Sequence, residues 1–167
     1  MIGRIEVAFR KGRRDVPGEK TKTAIFDHLG ISVDRVNTID VYTIEGNLLS
    51  EELEAAAAGP LSDPVIQYYG VNRHLARNFS WLIEVGFRPG VTDNVGKTAG
   101  EAIRYLLGPE GSDRDISVYT SRQYAIVGDI SKDGAERIAS GLLANELIER
   151  YEIYDGASWN PDVRHDP

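Results

Sequence analysis

The chain has no cysteine. That excludes disulfides, thiolate zinc sites and a cysteine nucleophile, and it fits a reducing cytoplasm. Histidine is scarce: His28, His74 and His165 are the only three. None lies three to five residues from another or beside a carboxylate cluster, so no metal-ligand set forms and each reads as a surface or helix-face histidine. No apolar run approaches the roughly 20 residues of a membrane span. The opening Met1-Ile2-Gly3-Arg4-Ile5-Glu6-Val7 reads as a strand, without the apolar core of a signal peptide. Positive charge is in deficit, 19 Lys and Arg against 26 Asp and Glu, for a net charge of −7. Phosphate neutralisation needs clustered cations, so neither nucleic acid nor an anionic membrane is the expected partner. The one basic cluster, Arg10-Lys11-Gly12-Arg13-Arg14, runs straight into Asp15 and Glu19 and reads as a solvated loop. What is present is enough apolar material for a packed core: 41% of 167 residues.

That material is arranged twice. Ile5-Glu6-Val7-Ala8-Phe9-Arg10-Lys11-Gly12 lies over Ile83-Glu84-Val85-Gly86-Phe87-Arg88-Pro89-Gly90 at an offset of 78, and the match holds to Leu29-Gly30 over Leu107-Gly108. Over 26 columns, 12 residues are identical; chance gives about one or two, so the chain is read as a duplication. Ile39-Asp40-Val41-Tyr42-Thr43 is placed over Ile116-Ser117-Val118-Tyr119-Thr120, Gly59 over Gly141, and Val65–Tyr69 over Leu147–Tyr151. The expected organisation is unit 1 at 1–70, a polar connector at 71–80, unit 2 at 81–154, and a tail at 155–167 leading away from the fold.

Each unit reads as strand, helix, strand (one long strand or a folded pair), helix, strand. Ile5, Val7 and Phe9 alternate with polar residues, as in a half-buried strand. Ala99, Ala102, Ile103, Leu106 and Leu107 form one helix face, as do Ala135, Ile138, Ala139, Leu142 and Leu143. Gly30 and Gly108 are the expected helix ends, and Ser50 and Ser131 the expected caps of the second helices. The fold class is therefore α+β, and two copies are expected to pair as an intramolecular pseudo-dimer.

Several motifs invite chemistry and fall short of it. Gly90-Val91-Thr92-Asp93-Asn94-Val95-Gly96-Lys97-Thr98 imitates a phosphate-binding loop but has five residues, not four, before Gly-Lys-Thr. The carboxylates Glu51, Glu52, Glu54, Asp133 and Glu136 read as solvated helix faces. No nucleophile arrangement or Gly-x-Ser-x-Gly elbow is present, so no catalytic, cofactor-binding or metal residue is assigned. Asp15 and Asp93 occupy the same turn in both copies and read as helix caps. Together with Arg10 and Arg88 at the strand ends, they are the candidate partner-binding residues.

The second copy resembles the PurS family, the small accessory subunit of formylglycinamidine ribonucleotide (FGAM) synthetase. The resemblance rests on the strand Ile83–Phe87, the turn Pro89–Gly96, and above all Gly141-Leu142-Leu143-Ala144-Asn145-Glu146-Leu147-Ile148-Glu149-Arg150-Tyr151. It extends over residues 2–154, although the first copy diverges at Gly59–Ile66. It implies tandem PurS-like units and a non-catalytic accessory role within an ATP-dependent glutamine amidotransferase ligase of purine biosynthesis. Expected partners are a PurL-type synthetase domain, which holds the ATP and Mg, and a PurQ-type glutaminase. Further homodimerisation stays open, as does whether the chain is a separate subunit or part of a longer one. A tandem ACT-type small-molecule regulatory domain is the alternative.

Overall fold

The computed structural model describes residues 2–111 and 113–162; His165 lies outside them. Among the described residues the chain is α+β, with six strands in one antiparallel sheet and four α-helices. The order is β1 (Ile2–Phe9), α1 (Val16–Leu29), β2 (Arg35–Glu45), α2 (Ser50–Ala58), β3 (Gln67–Val71), then β4 (Trp81–Phe87), α3 (Asn94–Leu106), β5 (Ser117–Val127), α4 (Lys132–Ile138) and β6 (Glu149–Asp155). The strands lie in the order β3-β1-β2-β5-β4-β6. Among the described residues, no helix is long and apolar enough to cross a membrane.

The same five-element order appears twice, and the details repeat. In the first copy Ile5 faces Val71 and Val7 faces Tyr69. In the second, Ile83 faces Ile153 and Val85 faces Tyr151. The middle strand is a single strand of 11 residues in each copy. Its placement corrects the sequence alignment, because the bounds of β2 and β5 superpose at an offset of 82. Thr38 therefore corresponds to Thr120 and Ile44 to Ile126. The extra residues sit in the α3–β5 connection, where a 3-10 turn covers Gly108–Glu110. Last strands begin two residues later than expected, at Gln67 and Glu149.

Two compact units arise, and neither is a sequence repeat. One contains residues 1–13, 40–75 and 92–120; the other contains 14–39, 76–91 and 121–162 of the described chain. In the first, Ala99 and Ile103 of α3 join a core with Ile5 and Val7 of β1, Ile44 of β2, and Leu53, Ala56 and Ala57 of α2. In the second, Ile25 of α1 joins Ile83 and Val85 of β4, Ile126 of β5, and Ile138 and Ala139 of α4. Each repeat thus lends its first helix to the core built on the other repeat's first strand. Ile25 and Ile103 are both fully buried, and burying such a side chain stabilises by about 1.5–3 kcal/mol. Ile103→Ala should cost about 2–5 kcal/mol in a urea unfolding titration, because a cavity is left beside α2 and β1.

Several local expectations need correction. Ser50 is the first helical residue, not the cap; Leu49 occupies that position, and its N–H donates to Glu52 Oε1 at 2.9 Å. Ser131 does cap α4, accepting from Gly134 N–H at 3.1 Å. Leu106 turns out to solvent, and α3 buries Gly96, Ala99, Gly100 and Ile103 instead. Gly30 ends α1 in the left-handed region, whereas Leu107 ends α3 and Gly108 follows it with φ 71°. In the expected polar connector, Val71 still belongs to β3, and His74, Leu75 and Ala76 are buried. The described part of the tail also packs: Gly156 N–H donates to Ser80 O at 2.9 Å, and the Trp159 ring lies edge-on to Phe79 and Tyr154.

Candidate functional site

The four candidate residues fall into two matched pairs. Asp15 Oδ1 accepts from Gly18 N–H at 2.8 Å and from Thr38 Oγ1 at 2.8 Å, and Oδ2 accepts from Thr38 N–H at 2.5 Å. Asp93 repeats this with Gly96 N–H at 2.8 Å and Thr120 N–H at 2.6 Å, while Thr120 Oγ1 donates to the same carboxylate. Each aspartate caps a helix, as the sequence suggests, and also ties that helix to the middle strand of its own repeat. Charge-assisted bonds from two elements to one carboxylate hold the strand-to-helix angle.

Gly18 and Gly96 complete the turn. A Cβ on Gly18 would overlap the Val36 carbonyl oxygen, and one on Gly96 would overlap that of Val118. These glycines permit close approach of helix and strand. The loop that imitates a phosphate site is therefore filled by its own Asp93 carboxylate, and Thr98 Oγ1 donates to Asn94 O within α3.

Arg10 and Arg88 do not pair with the aspartates. Arg10 Nε donates to Pro64 O at 3.0 Å, and its N–H to Ile66 O at 2.8 Å. Arg88 Nε donates to Glu146 O at 2.7 Å, and its N–H to Ile148 O at 2.8 Å. The turns they hold also match. Asp63 Oδ1 accepts from Val65 N–H at 2.9 Å, as Asn145 Oδ1 accepts from Leu147 N–H at 3.2 Å. Gln67 Oε1 and Glu149 Oε1 each accept from the N–H four residues earlier, at 2.8 Å. Val65 and Leu147 are consequently pushed outward, 65% and 87% exposed. Each corner offers an exposed apolar side chain beside an arginine, a combination suited to protein contact.

Three of the carboxylates read as solvated have partners. Glu52 takes Arg114 Nη1 at 2.8 and 2.6 Å, which holds its carboxyl below the ordinary range, with the Leu49 N–H adding to the effect. Glu54 accepts from Tyr69 OH at 3.1 Å and Glu136 from Tyr151 OH at 3.3 Å, another matched pair. The hydrogen bond to Glu54 raises the Tyr69 pKa; burial first, then Glu136, raises that of Tyr151.

One cluster was not foreseen. Glu6 is fully buried, and its Oε2 accepts from Arg4 Nε at 2.7 Å and from His74 Nδ1 at 2.8 Å. A carboxylate can only accept, so the Nδ1 carries the proton. Oε1 accepts from Leu75 N–H at 2.9 Å. Burial alone would raise the Glu6 pKa, but His74, Arg4 and the Leu75 N–H outweigh it and hold the carboxyl below the ordinary range. His74 is 5% exposed, against the surface position expected of it, while His28 is exposed as expected. The available signal was Glu6 lying inside an apolar strand with a histidine in the segment after β3. Among the described residues, no group of three His, Asp or Glu could hold a metal ion.

Compared with known proteins, the chain matches no family model and no curated sequence.

Proposed function

We propose that this chain is a non-catalytic accessory component of phosphoribosylformylglycinamidine synthase, acting in a cytoplasmic setting in purine (IMP) biosynthesis. In this reading the repeats are PurS-like units paired as an intramolecular pseudo-dimer. They join a PurL-type synthetase domain, which binds ATP and Mg, to a PurQ-type glutaminase, and they help shape the ammonia path. Arg10, Arg88 and the adjoining exposed Val65 and Leu147 are the contact residues, while Asp15 and Asp93 hold the strand-to-helix turns in place.

The observation that carries this reading is reciprocity. A Cβ on Gly46 of the first repeat would touch Asp115 of the second, and one on Gly128 of the second would touch Val33 of the first. These are equivalent positions used in both directions, as in an isologous dimer. The segment Gly141–Tyr151, which carries the family resemblance, builds one of the two matched corners.

The test is reconstitution. The chain should co-elute with matching synthetase and glutaminase components and raise their amide transfer, and alone it should turn over neither glutamine nor ATP. Measurable turnover by the isolated chain, or failure to associate with both components, would reject the reading. Saturable binding of free amino acids in calorimetry would favour the ACT-type alternative.

A further inference from the structure

The duplication supplies an internal control for what the fold requires, and against that control the two corners differ in charge. Their turns share one geometry. Arg13 N–H donates to Arg10 O at 3.0 Å, as Val91 N–H donates to Arg88 O at 3.1 Å, and Gly12 and Gly90 have φ of 85° and 86°. Lys11 and Arg13 of the first repeat correspond to Pro89 and Val91 of the second, so the turn itself requires neither cation. On the turn that each arginine holds, Asp63, Pro64 and Gln67 correspond to Asn145, Glu146 and Glu149. Residues 10–13 and 63–67 therefore carry Arg10, Lys11 and Arg13 against Asp63, a formal charge of +2. Residues 88–91 and 145–149 carry Arg88 against Glu146 and Glu149, a formal charge of −1. Carrying both counts on through Asp15 and Asp93 gives +2 and −2.

Lys11 and Arg13 are exposed and make no ion pair among the described residues, while Arg14, next in the chain, is paired with Glu19 at 2.6 Å. Arg10 keeps its charge while its Nε holds the Pro64 carbonyl, and the exposed Val65 follows directly. A few cations in a chain of net charge −7 make no nucleic-acid surface, and an apolar side chain among them suits a protein. Opposite charge on a partner favours encounter and fixes the choice of partner, and like charge rejects it. We propose that the corner at 10–13 and 63–67 docks an acidic surface of a partner protein, and that the matched corner rejects that same surface. This deepens the docking role proposed above and rests on it for the identity of the partners: two corners of one geometry take two different components.

The full chain, isotope-labelled, would be titrated at low salt with an acidic peptide of four glutamates around one leucine, with its glutamine counterpart, and with inorganic phosphate. The expected result is saturable shifts of the backbone N–H signals of residues 10–13 and 65–66 by the acidic peptide, with a dissociation constant on the order of 1 mM. Signals of residues 88–91 and 146–148 should stay in place. The glutamine peptide and phosphate should each bind about fivefold more weakly or less. Lys11→Pro with Arg13→Val grafts the second repeat's residues onto the same turn and should erase the preference for the acidic peptide. Absence of saturable shifts, equal binding of the two peptides, equal shifts at both corners, or phosphate binding as tightly as the acidic peptide would overturn the inference. With synthetase and glutaminase components both bound, the graft should release one and retain the other; release of both or of neither would also overturn it. If the natural chain binds neither component, the accessory reading fails, and the peptide titration still decides the charge selection.

Discussion

Gly96→Ala is expected to destabilise the chain by about 3 kcal/mol or more, read as a lower urea midpoint. The added methyl would overlap the Val118 carbonyl oxygen and come within 3.0 Å of the Asp93 carboxylate. Neither can yield easily. Val118 is part of β5 and of the core, and Asp93 is fixed by Gly96 N–H and by Thr120. Moving α3 outward instead would withdraw Ala99 and Ile103 from the core they share with the first repeat. Gly18→Ala should behave alike, since its Cβ would meet Val36 O and the Asp15 carboxylate. Gly134→Ala is the control. It occupies the first turn of α4, and its added Cβ would meet nothing closer than 3.5 Å. Alanine also favours helix over glycine by about 1 kcal/mol, so Gly134→Ala should be neutral or stabilising.

The second large effect is at Glu6. Glu6→Ala is expected to cost about 3–5 kcal/mol, because it strands Arg4 and His74 without the carboxylate that both face. It also frees Leu75 N–H from its acceptor, loosening the segment that follows β3. Glu84 holds the same strand position in the second repeat but is only half-buried, so Glu84→Ala should cost less. The pH dependence has a definite sign. The folded-state pKa of Glu6 lies below its ordinary value of 4.5. The stabilisation from its ionised form is therefore complete above that value and is lost as pH falls through the depressed folded-state pKa. The stability gap between the natural chain and Glu6→Gln should narrow in acid below about pH 4. A gap that widened on acidification would contradict the assignment.

The duplication was legible because it is written in identities: Ile5-Glu6-Val7, the Asp15 and Asp93 turns, and Ala24-Ile25 against Ala102-Ile103. The helix exchange was not legible for the same reason. Two helices with the same apolar face fit either core equally well, and no local pattern states which sheet each will cover. The middle-strand alignment failed on another count. Val41-Tyr42-Thr43 and Val118-Tyr119-Thr120 are the same three letters, but Val118 belongs to a helix-side core and Val41 to neither cluster. Matching them shifts the strand by an odd number of residues and reverses its faces. Val36 and Thr38, the true counterparts of Val118 and Thr120, were passed over because their neighbours differ. His74 and Glu6 were missed because their pairing joins residues 68 apart in the chain, and because Glu6 alternates with Ile5 and Val7 as a solvent-facing strand residue would. The roles of Arg10 and Arg88 were half visible. Their equivalence could be read from sequence, but their carbonyl partners on the turns before β3 and β6 could not.

Exchange of first helices between the repeats is the physical claim on which the rest depends. Nuclear Overhauser contacts between methyl groups, in a sample labelled at Ile, Leu and Val, test it directly. Expected are contacts from Ile103 to first-repeat members of its core such as Ile44 and Leu53, and from Ile25 to Ile83 and Ile138. If Ile25 instead contacts Ile5 and Leu53, and Ile103 contacts Ile83 and Ile138, each repeat folds on itself and the exchange is wrong.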